Sequence, residues 1–335
     1  MIAKSNASAS VLAYIATAKY VDALPLYRQE EIFKRIGIEL HRKTMARWMI
    51  TVGEKITPLI TLLREEMLRS NYLHMDETVV QVLKEDGKKA ETNSYMWVQA
   101  RSGPRPIILF HYAKNRSAEH PKILLEDFSG ALQIDGYDGY SPVVEENKIK
   151  RLACWAHARR KFFDAFKSSS GQGVGKQGLV FIKKLYEIEA ELVDLDADKK
   201  SEVRMTKSKP LLAQFEEWLN EQSKKLNPES LGGKAVKYAR NEWRYLMNCF
   251  DSGEYSIDNN YIESHIRPFT IGRKNWMFSV TPEGATASAN LYSLVETAKA
   301  NGKDPFDYLN EVFKKLPVAS REKDFLDLLP VKIAE

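Results

Sequence analysis

At residue 71 the sequence changes period, and that change constrains what the chain can fold into more than any other feature. Before it, apolar residues recur at helical spacing. After it come YLHMDETVVQVL, SYMWVQAR and RPIILFHYA, runs rich in β-branched and aromatic residues and divided by polar turns at Asp86-Gly87 and Ser102-Gly103-Pro104. Three such runs with short turns predict an antiparallel meander. Ser117 is placed to cap a helix reaching about Asp127, ALQIDGYDGY supplies a fourth strand ending in a glycine-rich turn, and IKRLACWA supplies a fifth that runs into the helix AHARRKFFDAF. The order β-β-β-α-β-α-β-α predicts an α/β chain whose first three strands are antiparallel and whose later strands join by helical crossovers. That is the order of the ribonuclease H-like fold, a mixed five-stranded sheet flanked by helices.

Helical regions stand on both sides of this block. Residues 25–35 and 42–50 read as two short helices around a turn at Gly37, which fits a helix-turn-helix or an ordinary helical hairpin equally. A further helix over 53–70 carries Pro58 in its first turns. The Ser/Gly/Gln stretch 168–178 reads as a linker. Beyond it Leu179, Ile182, Leu185, Ile188 and Leu192, and later Val236, Ala239, Trp243, Leu246 and Phe250, fall near a 3.6 period, so 176–253 reads as an all-helical insertion. Two more helices follow, ANLYSLVETAKANG and DPFDYLNEVFKKLP, the second stopping at Pro317. Five regions result: 1–70 helical and suited to DNA, 71–167 the first part of the α/β core, 168–253 the insertion, 254–300 the rest of the core, and 301–335 a helical tail. A chain of 335 residues is long enough for more than one folded unit.

Charge and cysteine content exclude some classes. The net charge is only +5, so any polyanion site must come from local clusters such as Arg159-Arg160-Lys161 and Arg273-Lys274. Two cysteines, Cys154 and Cys249, are too few for a disulfide framework or a four-cysteine zinc site, which fits a reducing cytoplasm. The first twenty residues make a poor signal peptide, and no run approaches the roughly 18 apolar residues of a membrane span. A soluble cytoplasmic chain with no membrane partner is expected.

The chemistry is in the carboxylates. In EYSIDNNYIESHIRPFTIGRKNWMF, Asp258 is a good helix N-cap, Ile257 and Ile262 take the staple positions, and Pro268 should end the helix near Arg267. Asn260, Glu263 and Arg267 then share one face and Ile262 and Ile266 another. Alone, this is a helix with a surface ion pair or one that presents Glu263 to a ligand. Asp76 lies inside the first strand and Asp135 at the end of the fourth. If those strands are neighbours, the two aspartates come side by side, and a helix laid across them adds the third acid. Three close carboxylates need cations to stay ionised. Two Mg²⁺ or Mn²⁺ ions about 4 Å apart meet that need and suit phosphodiester chemistry. Glu77 points to the opposite strand face, Asp138 competes with Asp135 in the same turn, and Asp258 serves as a cap. The run Arg273-Lys274-Asn275-Trp276 suits a phosphate backbone and a stacked base. Cys154-Trp155-Ala156-His157 is a C-x-x-H without two further zinc ligands, so a buried structural Cys154 is expected, with His157 as a hydrogen-bonding group or a proton shuttle.

Together, LPLYRQEEIFKRIGIELHRKTMARW, MDETVVQVL, QIDGYDGY, CWAHARRKFFDAF, IDNNYIESHIRPFTIGRKNWMF and LYSLVETAKANGKDPFDYL resemble the insertion sequence 66 family of bacterial transposases, over about residues 15–335. The resemblance implies a DDE transposase with a ribonuclease H-like core and a helical insertion before the glutamate. It implies Asp76, Asp135 and Glu263 as the ligands of two Mg²⁺ (or Mn²⁺) ions, and Cys154 and His157 as an accessory pair. On this reading water cuts the transposon end and the freed 3′-OH attacks target DNA, with Arg159, Arg267, Arg273 and Lys274 on phosphates and Trp276 on a displaced base. Expected partners are transposon-end and target DNA, further copies of the chain assembled on DNA, and accessory proteins of the same element, at the nucleoid. The family usually carries an N-terminal coiled coil and a cysteine-rich segment, and this sequence starts after them. Where the family often reads Glu-Arg, this chain reads Glu263-Ser264-His265, which keeps the acid and removes one phosphate contact. The rival readings are a ribonuclease H-like nuclease without strand transfer and a protein that only binds DNA.

Overall fold

A computed structural model describes residues 1–2 and 5–332. Residues 3–4 of the expected N-terminal region and 333–335 of the expected tail lie outside the described residues. In chain order the elements are α1 (Ala9–Tyr20), α2 (Leu26–Arg35), α3 (Arg42–Lys55), α4 (Thr57–Leu68), β1 (Tyr72–Gln81), β2 (Asn93–Arg101), β3 (Ile107–Ala113) and α5 (Glu119–Leu124). Then come β4 (Ala131–Gln133), α6 (Ser141–Glu146), β5 (Lys150–Leu152), α7 (Trp155–Ser168), α8 (Gly173–Glu191), α9 (Ala197–Val203), a π-helical turn (Arg204–Ser208), α10 (Lys209–Lys225), α11 (Leu231–Asn241) and α12 (Trp243–Asn248). The chain closes with α13 (Asn260–Trp276), α14 (Pro282–Ala300), α15 (Pro305–Lys315) and α16 (Glu322–Leu326). This is a mixed α/β chain with a five-stranded mixed sheet and flanking helices, as the sequence patterns predict. It divides into two units, residues 1–128, 139–143 and 261–335 in the first and 129–138 and 144–260 in the second.

The first unit holds the meander. β1 pairs antiparallel with β2, Asp76 opposite Val98 and Glu77 opposite Trp97, and β2 pairs antiparallel with β3. The turns fall where predicted, and Gly87 and Gly103 take positive φ (70° and 95°), which a residue with a Cβ resists. β3 is an edge strand whose outward backbone is covered by α14. Ser293 Oγ accepts from Phe110 N–H at 2.8 Å and Thr297 Oγ1 from Ile108 N–H at 3.0 Å, so two helix hydroxyls satisfy amides that would otherwise template another strand. α14 is correspondingly buried along most of its length.

Three boundaries in this unit differ from expectation. α3 continues through Gly53 to Lys55 and α4 begins only at Thr57, in place of breaks at 50 and 53. Gly53 is inside a helix because α14 passes so close that a Cβ there would overlap Ala287. The helix expected from Ser117 to Asp127 shrinks to α5, preceded by Ala118; Ser117 N–H donates instead to Asn115 Oδ1. The largest correction is at Pro268, where α13 runs on to Trp276. Proline inside a helix costs about 3 kcal/mol. Burial on both sides of it offsets that cost: Ile262, Ile266 and Phe269 are in the core, and Phe269 packs on the rings of Tyr292 (5.3 Å) and Trp276 (5.5 Å).

The second unit pairs β4 with β5 in parallel, Ala131 opposite Lys150 and Gln133 opposite Leu152, and the described residues between α7 and α13 contain helices and no strand. The expected linker at 168–178 narrows to 169–172, because α8 starts at Gly173. Its glycines are contacts, not flexibility: a Cβ on Gly175 would overlap the Phe166 backbone and one on Gly178 the Phe162 ring, so both let α8 lie against α7. Arg204, in the π-helical turn and 2% exposed, donates to Glu189 and to the carbonyls of Cys249, Ser252 and Tyr255. One planar guanidinium thereby fixes the segment that leads toward α13.

Candidate active site

In the first unit, side chains alternate along β1, so His74, Asp76 and Thr78 share a face. α13 packs along that face. The Tyr261 ring lies 5.2 Å from the His74 ring, and Arg273 Nη1 donates to Thr78 Oγ1 at 3.0 Å and to the Val79 carbonyl. These contacts bracket Asp76, which is half-buried and whose Oδ1 accepts from Glu77 N–H at 2.8 Å. On α13, at about 100° per residue, Ile262, Ile266 and Phe269 fall in one buried arc, and Glu263, Arg267 and Lys274 fall together beside it. Glu263 is half-buried, and Arg267 and Lys274 are exposed. Among the described residues Glu263 and Arg267 form no ion pair, so the surface-pair alternative for this helix does not hold.

Glu77 faces away from Asp76, as strand alternation requires. Its side chain is 2% exposed, paired with Arg116, and its Oε2 accepts from the Tyr140 hydroxyl at 2.8 Å. Tyr140 is itself buried and meets the Trp97 ring edge-on at 5.7 Å.

In the second unit, Asp135 stands just past β4 in a tight turn where Oδ1 accepts from Tyr137 N–H at 3.0 Å. It is half-buried, whereas Asp138 is exposed and opens a 3-10 turn, Asp138–Tyr140. Gly136 allows close approach of Tyr238, whose ring a Cβ would meet at 3.3 Å. Arg151 of β5 donates to the Asp135 carbonyl at 3.3 Å and pairs with Glu242 at 2.5 Å. Burial raises the Glu242 pKa, Arg151 opposes the rise, and the charges of Asp135 and Asp138 add to it. Sequence reasoning missed Glu242: it sits among ordinary helix residues and nothing in its spacing separates it from a surface acid.

Cys154 precedes the first turn of α7 and is fully buried. Its Sγ accepts from Asn259 N–H at 3.2 Å, and burial pushes the thiol up to about 12, so it is neutral. Trp155 N–H donates to the Ile257 carbonyl at 3.0 Å, so the C-x-x-H strand end is tied to the residues just before α13. His157 is half-buried, and its backbone N–H donates to the Cys154 carbonyl at 3.1 Å. Asp258 does not sit at the N-cap position, since α13 starts at Asn260. It accepts from Asn260 N–H at 3.1 Å and Asn260 Nδ2 at 2.8 Å, and the Tyr186 hydroxyl donates to it at 2.8 Å.

Of the residues expected at DNA, Arg159, Arg267 and Lys274 are exposed. Arg273 is turned inward onto β1. Trp276 is half-buried against Phe269, with Lys19 Nζ 5.1 Å from its ring.

The half-buried strand aspartate, the half-buried glutamate on the helix packed along that strand face and, in the second unit, the half-buried strand-end aspartate are each side chains of the kind that ligate hard divalent cations through oxygen. The chain belongs to the IS66 family of transposases: residues 4–287 match the Transposase IS66 family and residues 293–331 the IS66 C-terminal element. Among curated relatives, the uncharacterized protein y4qI of Sinorhizobium fredii is 32% identical over 333 residues, covering 96% of this chain and 61% of that protein. The uncharacterized protein y4jD of the same organism is 30% identical over 335 residues, covering 96% of this chain and 65% of that protein. The chain thus spans under two thirds of the length of these relatives. No helix among the described residues is long and apolar enough to cross a membrane.

Proposed function

We propose that this chain is the catalytic part of a DDE transposase with a ribonuclease H-like core, in which Asp76, Asp135 and Glu263 together hold two Mg²⁺ or Mn²⁺ ions. The observation that carries this reading is the face of β1 that bears Asp76, along which the Glu263 helix packs. The family match and an antiparallel meander followed by a parallel strand pair support it. Bound divalent ions would activate the attacking oxygen and stabilise the leaving oxygen at a phosphodiester. The protein's own residues do the rest. Glu77 N–H orients the Asp76 carboxylate, and the Tyr137 N–H orients that of Asp135. Arg273 braces α13 against β1, so that Arg267 and Lys274 on the Glu263 stripe, with Arg159 on α7, are the cations offered to DNA phosphates, and Trp276 is the ring next to them. Cleavage at the element's ends followed by strand transfer to target DNA, assembly of several copies on that DNA, and a helix-turn-helix made by α2 and α3 complete the proposal. The helices between α7 and α13 are the insertion of this core, and Cys154 with His157 its accessory pair.

Mg²⁺-dependent cleavage of duplexes carrying the ends of the element tests this reading. Asp76→Asn, Asp135→Asn and Glu263→Gln should each lower the cleavage rate by about 10³-fold, corresponding to the several kcal/mol a metal contributes, while DNA binding persists. Unimpaired cleavage by any one variant removes that residue from the site. Supplying pre-cut ends separates the rival: a nuclease without strand transfer leaves them unjoined.

A further inference from the structure

Tyr140 and Tyr186, buried and half-buried, deliver their hydroxyls to the carboxylates of Glu77 and Asp258, each at 2.8 Å. Tyr238 of α11 does not. It is half-buried, and its hydroxyl makes no hydrogen bond among the described residues. A phenol withdrawn from water without an acceptor is unfavourable, and such groups usually have a partner. Its surroundings, all within the second unit, show what that partner could be. A Cβ on Gly136, the residue after Asp135, would lie 3.3 Å from the Tyr238 ring and 3.4 Å from its hydroxyl oxygen, so the phenol lies directly against the Asp135 turn. Lys161 of α7 is exposed, forms no ion pair among the described residues, and holds its Nζ 5.8 Å from the centre of the Tyr238 ring. Glu242, at the C-cap of α11, is already paired with Arg151. Burial, and after it the charge of Glu242, raises the Tyr238 pKa, so the hydroxyl keeps its proton and remains a donor.

We infer that Tyr238 and Lys161 form a DNA-phosphate site beside the Asp135 turn, the hydroxyl donating to a non-bridging oxygen of the phosphodiester and the ammonium supplying the opposite charge. A hydroxyl donor and an ammonium that share one place and have no acceptor of their own suit an anion with several acceptor oxygens. The inference rests on the three-carboxylate reading above, because it is the role proposed for Asp135 that makes the anion at this turn a phosphodiester. The contact is to the backbone and not to a base, so it holds the strand in place without reading its sequence. It gives the helical insertion a direct part in holding the strand that is cut.

The test is equilibrium binding of the full chain, in EDTA and over a range of salt, to a duplex carrying an end of the element, with urea unfolding beside it. Tyr238→Phe removes only the hydroxyl. It should keep the urea midpoint and bind about tenfold more weakly, as expected for losing a hydrogen bond to a charged group. Its slope of log K against log salt should not change, because a neutral donor displaces no counterion, whereas Lys161→Ala should flatten that slope by roughly one unit. A methylphosphonate linkage replaces one non-bridging oxygen. Moved one linkage at a time across the cleavage point, one stereoisomer at one position should abolish the difference between Tyr238→Phe and the parent chain. Parent-like binding by Tyr238→Phe, or a difference that survives at every linkage, overturns the phosphate contact; loss of cleavage in Asp135→Asn beside it leaves the three-carboxylate reading standing. A lowered urea midpoint in Tyr238→Phe shows the hydroxyl to be structural and overturns the contact as well, and an unchanged slope in Lys161→Ala overturns the paired site. Undiminished cleavage by Asp135→Asn removes the three-carboxylate reading and, with it, the placement of this contact beside the reaction.

Discussion

Cys154 shows what one residue contributes here. Its thiol accepts an amide from Asn259 in a site closed to water, and it is held neutral with a pKa near 12. Cys249 is equally buried and shifted in the same direction, first by burial. Neither should react with a thiol reagent in the folded chain at pH 8, and both should react once the chain is unfolded in guanidinium; fast labelling of native protein would contradict this. The pH dependence follows in sign. An unfolded thiol titrates near pH 8.5, below the folded value, so the folded state binds this proton more tightly. The associated stability is complete below about pH 8.5 and is lost as pH rises toward about 12, so the urea midpoint should fall across that interval. A buried Cys was legible from the sequence because a C-x-x-H without two partner ligands has little else to be. Glu242 was not legible, because its interest comes from Arg151 and Asp135, which only the fold brings to it.

At the scale of elements, apolar periodicity and turn chemistry located nearly every helix and strand, including the strand that bears Asp76, the strand end that bears Asp135 and the helix that bears Glu263. What failed was punctuation. Gly175 and Gly178 read as linker residues, and Pro268 as a helix stop, because local preference was visible and the packing that overrides it was not. Gly178→Ala should accordingly cost about 1–3 kcal/mol in a denaturant titration, since the new methyl meets the Phe162 ring. A neutral effect would mean that α8 is not held against α7. Arg204 is a second such point. Arg204→Ala leaves Glu189 without its guanidinium partner and takes one donor from each of three carbonyls, and should destabilise by about 3–5 kcal/mol. Lysine should recover little of this, because a point charge cannot reproduce the fork of donors.

On the scale of the whole molecule, a net charge of +5 gives no general attraction for DNA, so the proposed binding would depend on which cations are exposed. Arg267 and Lys274 share the Glu263 stripe, and Arg159 is exposed on α7. Replacing any one of them by alanine should flatten the dependence of log K on log salt by roughly one unit, and Arg273→Ala should instead weaken folding, because its guanidinium is spent on β1. An unchanged slope for Arg267→Ala and Lys274→Ala would remove that face from the DNA path. The α/β class and the family were legible in the order of elements and in the final motif block. How the three proposed acids, distant in sequence, would act together was not, since no local pattern encodes it. The most direct measurement is the anomalous scattering of Mn²⁺ in crystals of the chain: two ions held by the carboxylates of Asp76, Asp135 and Glu263 are expected, and ions bound elsewhere, or none at Asp76, would contradict the proposed site.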